Sequence, residues 1–225
     1  MTERDRNRAV ARRRVLAGLT AGAALLATGR AAEAACLSTP LPTPPQPEGP
    51  FYPVAIGEDD WDLTHVAGGS GRAEGEVIEV TGQVLDDGCK PLGGSIVEVW
   101  QANVHGLYDH PRDRPRGRTF DPNFQGYARL TADQDGRYRF VTIIPGAYPA
   151  ASNWVRPPHI HYQVHGPSGR AITTQMYFAG HPLNDTDLIL ARLSPAERRS
   201  VEVAFDTKTA DGRRRGAFNL VLGAG

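Results

Sequence analysis

Eight short runs of alternating apolar and polar residues, each closed by Gly, Pro, Asp or Asn, leave this chain few ways to fold. They are 77–85, 95–101, 127–131, 138–142, 159–165, 171–178, 201–205 and 217–222. Side chains along a strand point alternately to opposite faces, so each run presents one apolar face that must be covered by another sheet. Runs of this length and spacing predict an all-β sandwich of about eight strands with prealbumin-like topology, spanning residues 76–225. One helix interrupts the pattern. Ser194-Pro195-Ala196-Glu197 carries an N-cap serine, a proline at the first helical position and a glutamate that completes a capping box. Two turns stand out, Asp87-Gly88-Cys89-Lys90-Pro91 in the first hairpin and Asp133-Gln134-Asp135-Gly136. The second resembles the start of a calcium loop but lacks the remaining ligands, and reads as a hairpin turn.

The segments before residue 76 have other characters. Within residues 36–75 the segment 37–53 reads L-S-T-P-L-P-T-P-P-Q-P-E-G-P-F-Y-P, too rich in proline for a helix or a central strand, and the whole is expected to form an extended arm. Residues 1–35 hold Arg12-Arg13-Arg14 ahead of the apolar run 15–27, with Ala32-Glu33-Ala34 as a cleavage site. The pattern Arg12-Arg13-Arg14-Val15-Leu16 resembles a twin-arginine export signal. The run is shorter than the ~20 residues of a membrane span, so no stable membrane insertion is expected after cleavage. An exported chain with two cysteines permits a disulfide, and a Cys36–Cys89 bridge is expected to pin the arm to the first hairpin. Net charge is zero, and no basic patch interleaved with aromatics marks a nucleic-acid surface.

The chemistry concentrates around P-G-A-Y-P-A-A-S-N-W-V-R-P-P-H-I-H-Y-Q-V. His159 and His161 are two apart on a strand, so both imidazoles face one side, as a metal site requires. Tyr148 lies upstream in a rigid loop between Gly146 and Pro149, and Tyr108 follows another strand in W-Q-A-N-V-H-G-L-Y-D-H. Two strand histidines alone are equally compatible with ordinary hydrogen bonding, and each tyrosine with ordinary packing. The chain carries no G-x-S-x-G elbow, H-E-x-x-H helix or phosphate loop.

At V-E-V-W-Q-A-N, F-D-P-N-F, D-G-R-Y-R-F, I-P-G-A-Y-P, R-P-P-H-I-H, T-T-Q-M-Y-F and G-H-P-L-N the chain resembles the intradiol ring-cleavage dioxygenases, and within them most the iron-bearing chain of the protocatechuate type. The resemblance runs from about Val77 to Phe205, with a weaker echo in E-G-P-F-Y-P. It implies a β-sandwich with the site at one end and a non-haem Fe(III) held by Tyr108, Tyr148, His159 and His161. Arg156 and Gln175 fall at the positions of a pair beside the substrate, and Tyr148 at that of the ligand displaced when substrate binds. The implied reaction is cleavage of a catechol by dioxygen between its two hydroxyl-bearing carbons, giving a cis,cis-muconate-type product. Phenolate oxygens are hard anionic donors that suit a ferric ion.

Ala150 stands where an aromatic commonly follows the Tyr-Pro pair, which widens one wall. The substrate is left open among catechol, protocatechuate and substituted catechols, and a homo-oligomer is compatible with the sequence. The strand-turn rhythm also resembles prealbumin-like and carboxypeptidase-regulatory binding modules, which share the sandwich but not the four donors.

Overall fold

Val77–Asp86 (β1) sits at the centre of the first sheet because alternate side chains, Ile78, Val80 and Val84, are fully buried. It pairs antiparallel with Arg137–Ile143 (β4), placing Val80 opposite Phe140. It pairs parallel with Arg214–Ala217 (β11) and Leu220–Leu222 (β12), and Thr207–Lys208 (β10) lies at the outer side of β11. The computed structural model describes residues 41–54, 60–113 and 117–223, all within the unit Ser38–Gly225.

The second sheet runs in the order β3-β2-β7-β8-β9: Tyr127–Thr131, Ile96–Trp100, His159–His165, Ala171–Phe178 and Glu202–Val203. Val97, Val99, Ile160, Tyr162, Val164 and Met176 from this sheet meet Ile78, Val80, Phe140 and Leu220 from the first in one core. Tyr162 anchors the contact, its ring edge-on to Phe218 at 5.0 Å. Removing such side chains from water contributes about 1.5–3 kcal/mol each. Among the described residues the chain is thus mostly β in two main sheets, with one short α-helix, Pro195–Val201 (α1). The expected capping box forms there: Ser194 Oγ accepts from Glu197 N, and Glu197 Oε2 accepts from Ser194 N. No helix among the described residues is long and apolar enough to cross a membrane.

Several local expectations change. Asp87–Pro91 lies between β1 and β2, and 133–136 between β3 and β4, strands of different sheets; an isolated antiparallel bridge, Leu85 to Pro91, closes across the first turn. Alternation shows that a run has two faces but not which sheet it enters. Val201 ends α1, shortening the expected strand 201–205 to two residues. The run 217–222 breaks where Phe218 N bonds Thr81 O and Asn219 Oδ1 accepts from Gln83 N. Tyr148 opens a strand, Tyr148–Ala151 (β5), which pairs with Trp154–Arg156 (β6) in a two-stranded ribbon. Pro149 is tolerated there because a two-stranded ribbon is all edge. The export signal, its cleavage site and Cys36 lie outside the described residues; Cys89 sits in its turn with φ 67°.

Candidate metal centre

The strand β7 is buried on both faces, and its two faces do different work. Ile160, Tyr162 and Val164 enter the core, which sends His159 and His161 to the other side of the sheet. Register across three strands extends that side: Trp100 on β2 lies opposite His161, which lies opposite Gln175 on β8, while His159 lies opposite Tyr177. Three segments cover this face. Residues 41–53 cross it without helix or strand, tied by Thr43 N to Val221 O at 3.0 Å and Gln46 N to Thr173 O at 2.9 Å. The 101–113 loop brings Tyr108, and the β5–β6 ribbon brings Tyr148 and Arg156 opposite each other.

The loop is shaped by its own polar groups. Asn103 Oδ1 accepts from His105 N and Leu107 N, and Asp113 Oδ2 accepts from Tyr108 N. Gly106, at φ 72°, lets the loop rest on the ribbon, since a Cβ there would lie 2.5 Å from Ala147 O and 3.0 Å from Tyr148 Cβ.

The two tyrosines and two histidines named from the sequence converge. Tyr108 Oη is 3.1 Å from His161 Nε2 and 3.3 Å from His159 Nε2; the two Nε2 atoms are 3.2 Å apart, and Tyr148 Oη is 3.5 Å from His159 Nε2. Donors bound at ~2 Å to one cation stand roughly 3 Å from each other, so the spacing suits a shared metal ion. The tautomer of His159 suits it too. Its Nδ1 lies 2.6 Å from Pro157 O, a carbonyl that only accepts, so Nδ1 carries the proton and Nε2 turns a lone pair inward. His161 is held by ring stacking on Trp100, 4.9 Å between centroids and 8° between planes.

Electrostatics set the protonation of this group. Burial, aided by the Arg156 charge, holds His161 down to about 3 and His159 well below the usual imidazole value, so both rings are neutral and able to donate. Burial pushes both phenols up, Tyr108 furthest because Tyr148 adds to the effect. Without a cation both phenols keep their protons; a cation among the four donors supplies the charge that ionises them. Among the described residues no group of three His, Cys, Asp or Glu offers another metal site.

Arg156 stands beside this group, held through its Nε and Nη2. Its Nε donates to Asp187 Oδ2 at 2.7 Å, and its Nη2 donates to Gln175 Oε1 at 2.7 Å and Tyr177 Oη at 3.1 Å. Tyr148, Arg156 and Phe51 face a cavity of about 820 Å³, which Tyr108 does not line.

Residues 47–224 match the family described as Dioxygenase (Dioxygenase_C). The chain is 44% identical over 181 residues to the protocatechuate 3,4-dioxygenase beta chain of Burkholderia cepacia, covering 76% of this chain and 77% of that one. It belongs to the intradiol ring-cleavage dioxygenases, a family of oxidoreductases. Among its relatives in this family, the catechol 1,2-dioxygenase of Acinetobacter baylyi is 32% identical, covering 71% of this chain but 54% of the relative. The dioxygenase domain of a dioxygenase carbohydrate-binding protein fusion from Streptomyces sp. SirexAA-E superposes with TM-score 0.61 at 29% identity, over 82% of this chain and 99% of that domain. Catechol 1,2-dioxygenase from Acinetobacter sp. ADP1 superposes with TM-score 0.63 at 26% identity, over 86% and 67%.

Within this intradiol dioxygenase the sequence patterns left out Trp100, Asp187, Tyr177, Gln46 and Phe51 as parts of the site. Phe51 packs on Tyr108 at 4.9 Å between centroids, and Gln46 Oε1 accepts from Tyr177 Oη at 3.0 Å. Nothing local in P-Q-P or N-D-T-D announces these contacts, which are 131 residues apart for Gln46 and 31 for Asp187.

Proposed function

We propose that this protein is a ferric intradiol dioxygenase that opens a catechol ring between its hydroxyl-bearing carbons and adds both atoms of dioxygen, giving a cis,cis-muconate-type dicarboxylate. The observation that supports it is the convergence of Tyr108, Tyr148, His159 and His161 within 3.1–3.5 Å contacts, with Tyr148 also lining the cavity. These four would hold Fe(III). When bound, the ferric ion supplies the Lewis acidity that ionises the diol and the electron acceptor that makes the ring reactive toward dioxygen.

The chain's own residues divide the remaining work. Tyr148 lines the cavity and, once ionised by the bound cation, would be the phenolate placed to accept a proton from a diol hydroxyl. Tyr108, which does not line that cavity, stays as a fixed donor. Trp100 and the Pro157 carbonyl keep the two imidazole planes in place. Arg156, with its charge aimed by Asp187 and Gln175, favours negative charge developing on the ring. Pro47, Gly49, Pro50 and Phe51 close one side and limit water.

The reading includes an exported protein with a twin-arginine-type signal and a Cys36–Cys89 bridge, checked by cell fractionation and by non-reducing peptide mapping. The decisive test of the activity is oxygen uptake on catechols with product spectra. Colourless muconate-type acids support the assignment, and yellow semialdehydes, from cleavage outside the diol, overturn it.

A further inference from the structure

The cavity is large for a ring with two hydroxyls. Its volume of about 820 Å³ falls in the upper part of the range, roughly 300–1,000 Å³, that encloses drug-sized ligands. Ala150, Ala151 and Ser152 form part of the wall, so small side chains account for some of that room. Of the lining residues Tyr148 and Arg156 are buried and mark the inner end, whereas Ile189 is half-buried and Leu188, Arg112 and Arg192 are exposed.

Charge along this wall is lopsided. Arg156 is matched by Asp187, and Arg118 by Asp113. Arg112 and Arg192 are exposed, and neither makes a side-chain hydrogen bond or ion pair among the described residues. Beside them Leu188 is 54% exposed, an apolar surface next to two unmatched cations. A neutral small catechol would use none of these features.

Resting on the ferric intradiol reading, we infer that the substrates include catechols whose ring carries an extended side chain ending in a carboxylate, with Leu188 and Ile189 against the chain and Arg112 and Arg192 receiving the anion. The class differs from catechols with the carboxylate directly on the ring, because the cations lie along the outer wall and the diol belongs at the inner end. Exposed guanidinium groups contribute modestly, about two- to fivefold in affinity each, and the effect weakens as salt screens it.

The test compares 3-(3,4-dihydroxyphenyl)propanoate with its amide, which has the same shape without the charge. Catechol and 4-methylcatechol serve as reference diols. In the wild type, kcat/KM for the propanoate should exceed that for the amide by about fivefold or more at low salt, mostly through KM. The ratio should fall toward one in Arg112→Gln/Arg192→Gln, and toward one in the wild type as salt rises. Equal values for acid and amide, or a preference that survives both substitutions, overturns the inference even if catechol is cleaved.

A second measurement is independent of turnover: calorimetric binding of 3-phenylpropanoate and 3-phenylpropanamide, which lack the diol. Tighter binding of the acid, lost in the double variant, supports the inference. Equal binding counts against it. Failure to cleave any diol overturns the intradiol reading instead, and the calorimetry still decides the role of the two arginines.

Discussion

Arg156 and Asp187 form a buried ion pair at 2.7 Å beside the four converging donors, with Asp187 wholly shielded from solvent. Asp187 Oδ1 also accepts from Ile189 N and Leu190 N, so the carboxylate is fixed to the backbone before it fixes the arginine. The guanidinium has little freedom left. The pair therefore aims a permanent charge at the cavity, and Asp187 is a positioning residue acting through Arg156.

Asp187→Asn keeps the shape and removes the charge, leaving a buried arginine uncompensated. Breaking such a pair costs about 3–5 kcal/mol of stability. The denaturation midpoint should fall. A purely structural role stops there; a positioning role also lowers kcat in the folded fraction while KM changes little, and Asp187→Glu should recover part of it. Wild-type kcat in folded Asp187→Asn would leave the carboxylate a structural role alone.

Metal loading tests the donor set directly. His159→Ala and Tyr108→Phe each remove an atom from the cluster and should lose most of the iron, or the visible tyrosinate band, measured by metal analysis and absorption. Removing iron from the wild type with a chelator should bleach the band and lower the thermal midpoint, because a ligand that binds only the folded state stabilises it. Full iron content with an unaltered spectrum in either variant removes that residue from the set.

Gly49 offers a quieter test of how the 41–53 segment bears on the site. Its φ is 79°, and an added Cβ would stand 3.3 Å from His161 Cε1. Gly180 has nearly the same backbone, φ 77°, with nothing within 4 Å. Both Gly→Ala variants should lose about 1–2 kcal/mol from the left-handed conformation. Only Gly49→Ala should also shift the visible band of the loaded protein. An identical spectrum in the two would mean that the contact with His161 yields without consequence.

How much of this was legible in the sequence depends on distance along the chain. Local rules worked where the cause is local: the Ser194–Glu197 capping box, the shared face of His159 and His161, and the bounds of 127–131, 159–165 and 171–178. Alternation cannot assign a strand to a sheet, so the sequence does not show that these two turns lead from one sheet to the other. Short ribbons lack periodicity, and the β5–β6 pair has only four and three residues, so the pattern around Tyr148 points to a loop instead of a strand. The contacts of Phe51 and Gln46 bridge distant segments, where no spacing rule reaches.

The last prediction separates Tyr148 from Arg156. Tyr148→Phe leaves Tyr108, His159 and His161 in place, so it should still take up iron, but it removes the oxygen that, as a phenolate beside the cavity, is placed to accept a diol proton. Its defect should appear when catechol is mixed anaerobically, as a delayed optical shift. Arg156→Ala should bind catechol with a near-normal shift and fail afterwards, when oxygen is admitted, because its charge matters most once negative charge builds on the ring. Losing one such contact costs about a hundredfold or more in rate. Since Arg156→Ala also strands the buried Asp187 carboxylate, the double variant Arg156→Ala/Asp187→Ala serves as the control for stability. The double variant should recover part of the lost stability and none of the lost rate. Recovery of turnover along with stability would assign Arg156 to holding the fold, and a normal anaerobic shift in Tyr148→Phe would take the proton from Tyr148 and give it to another base.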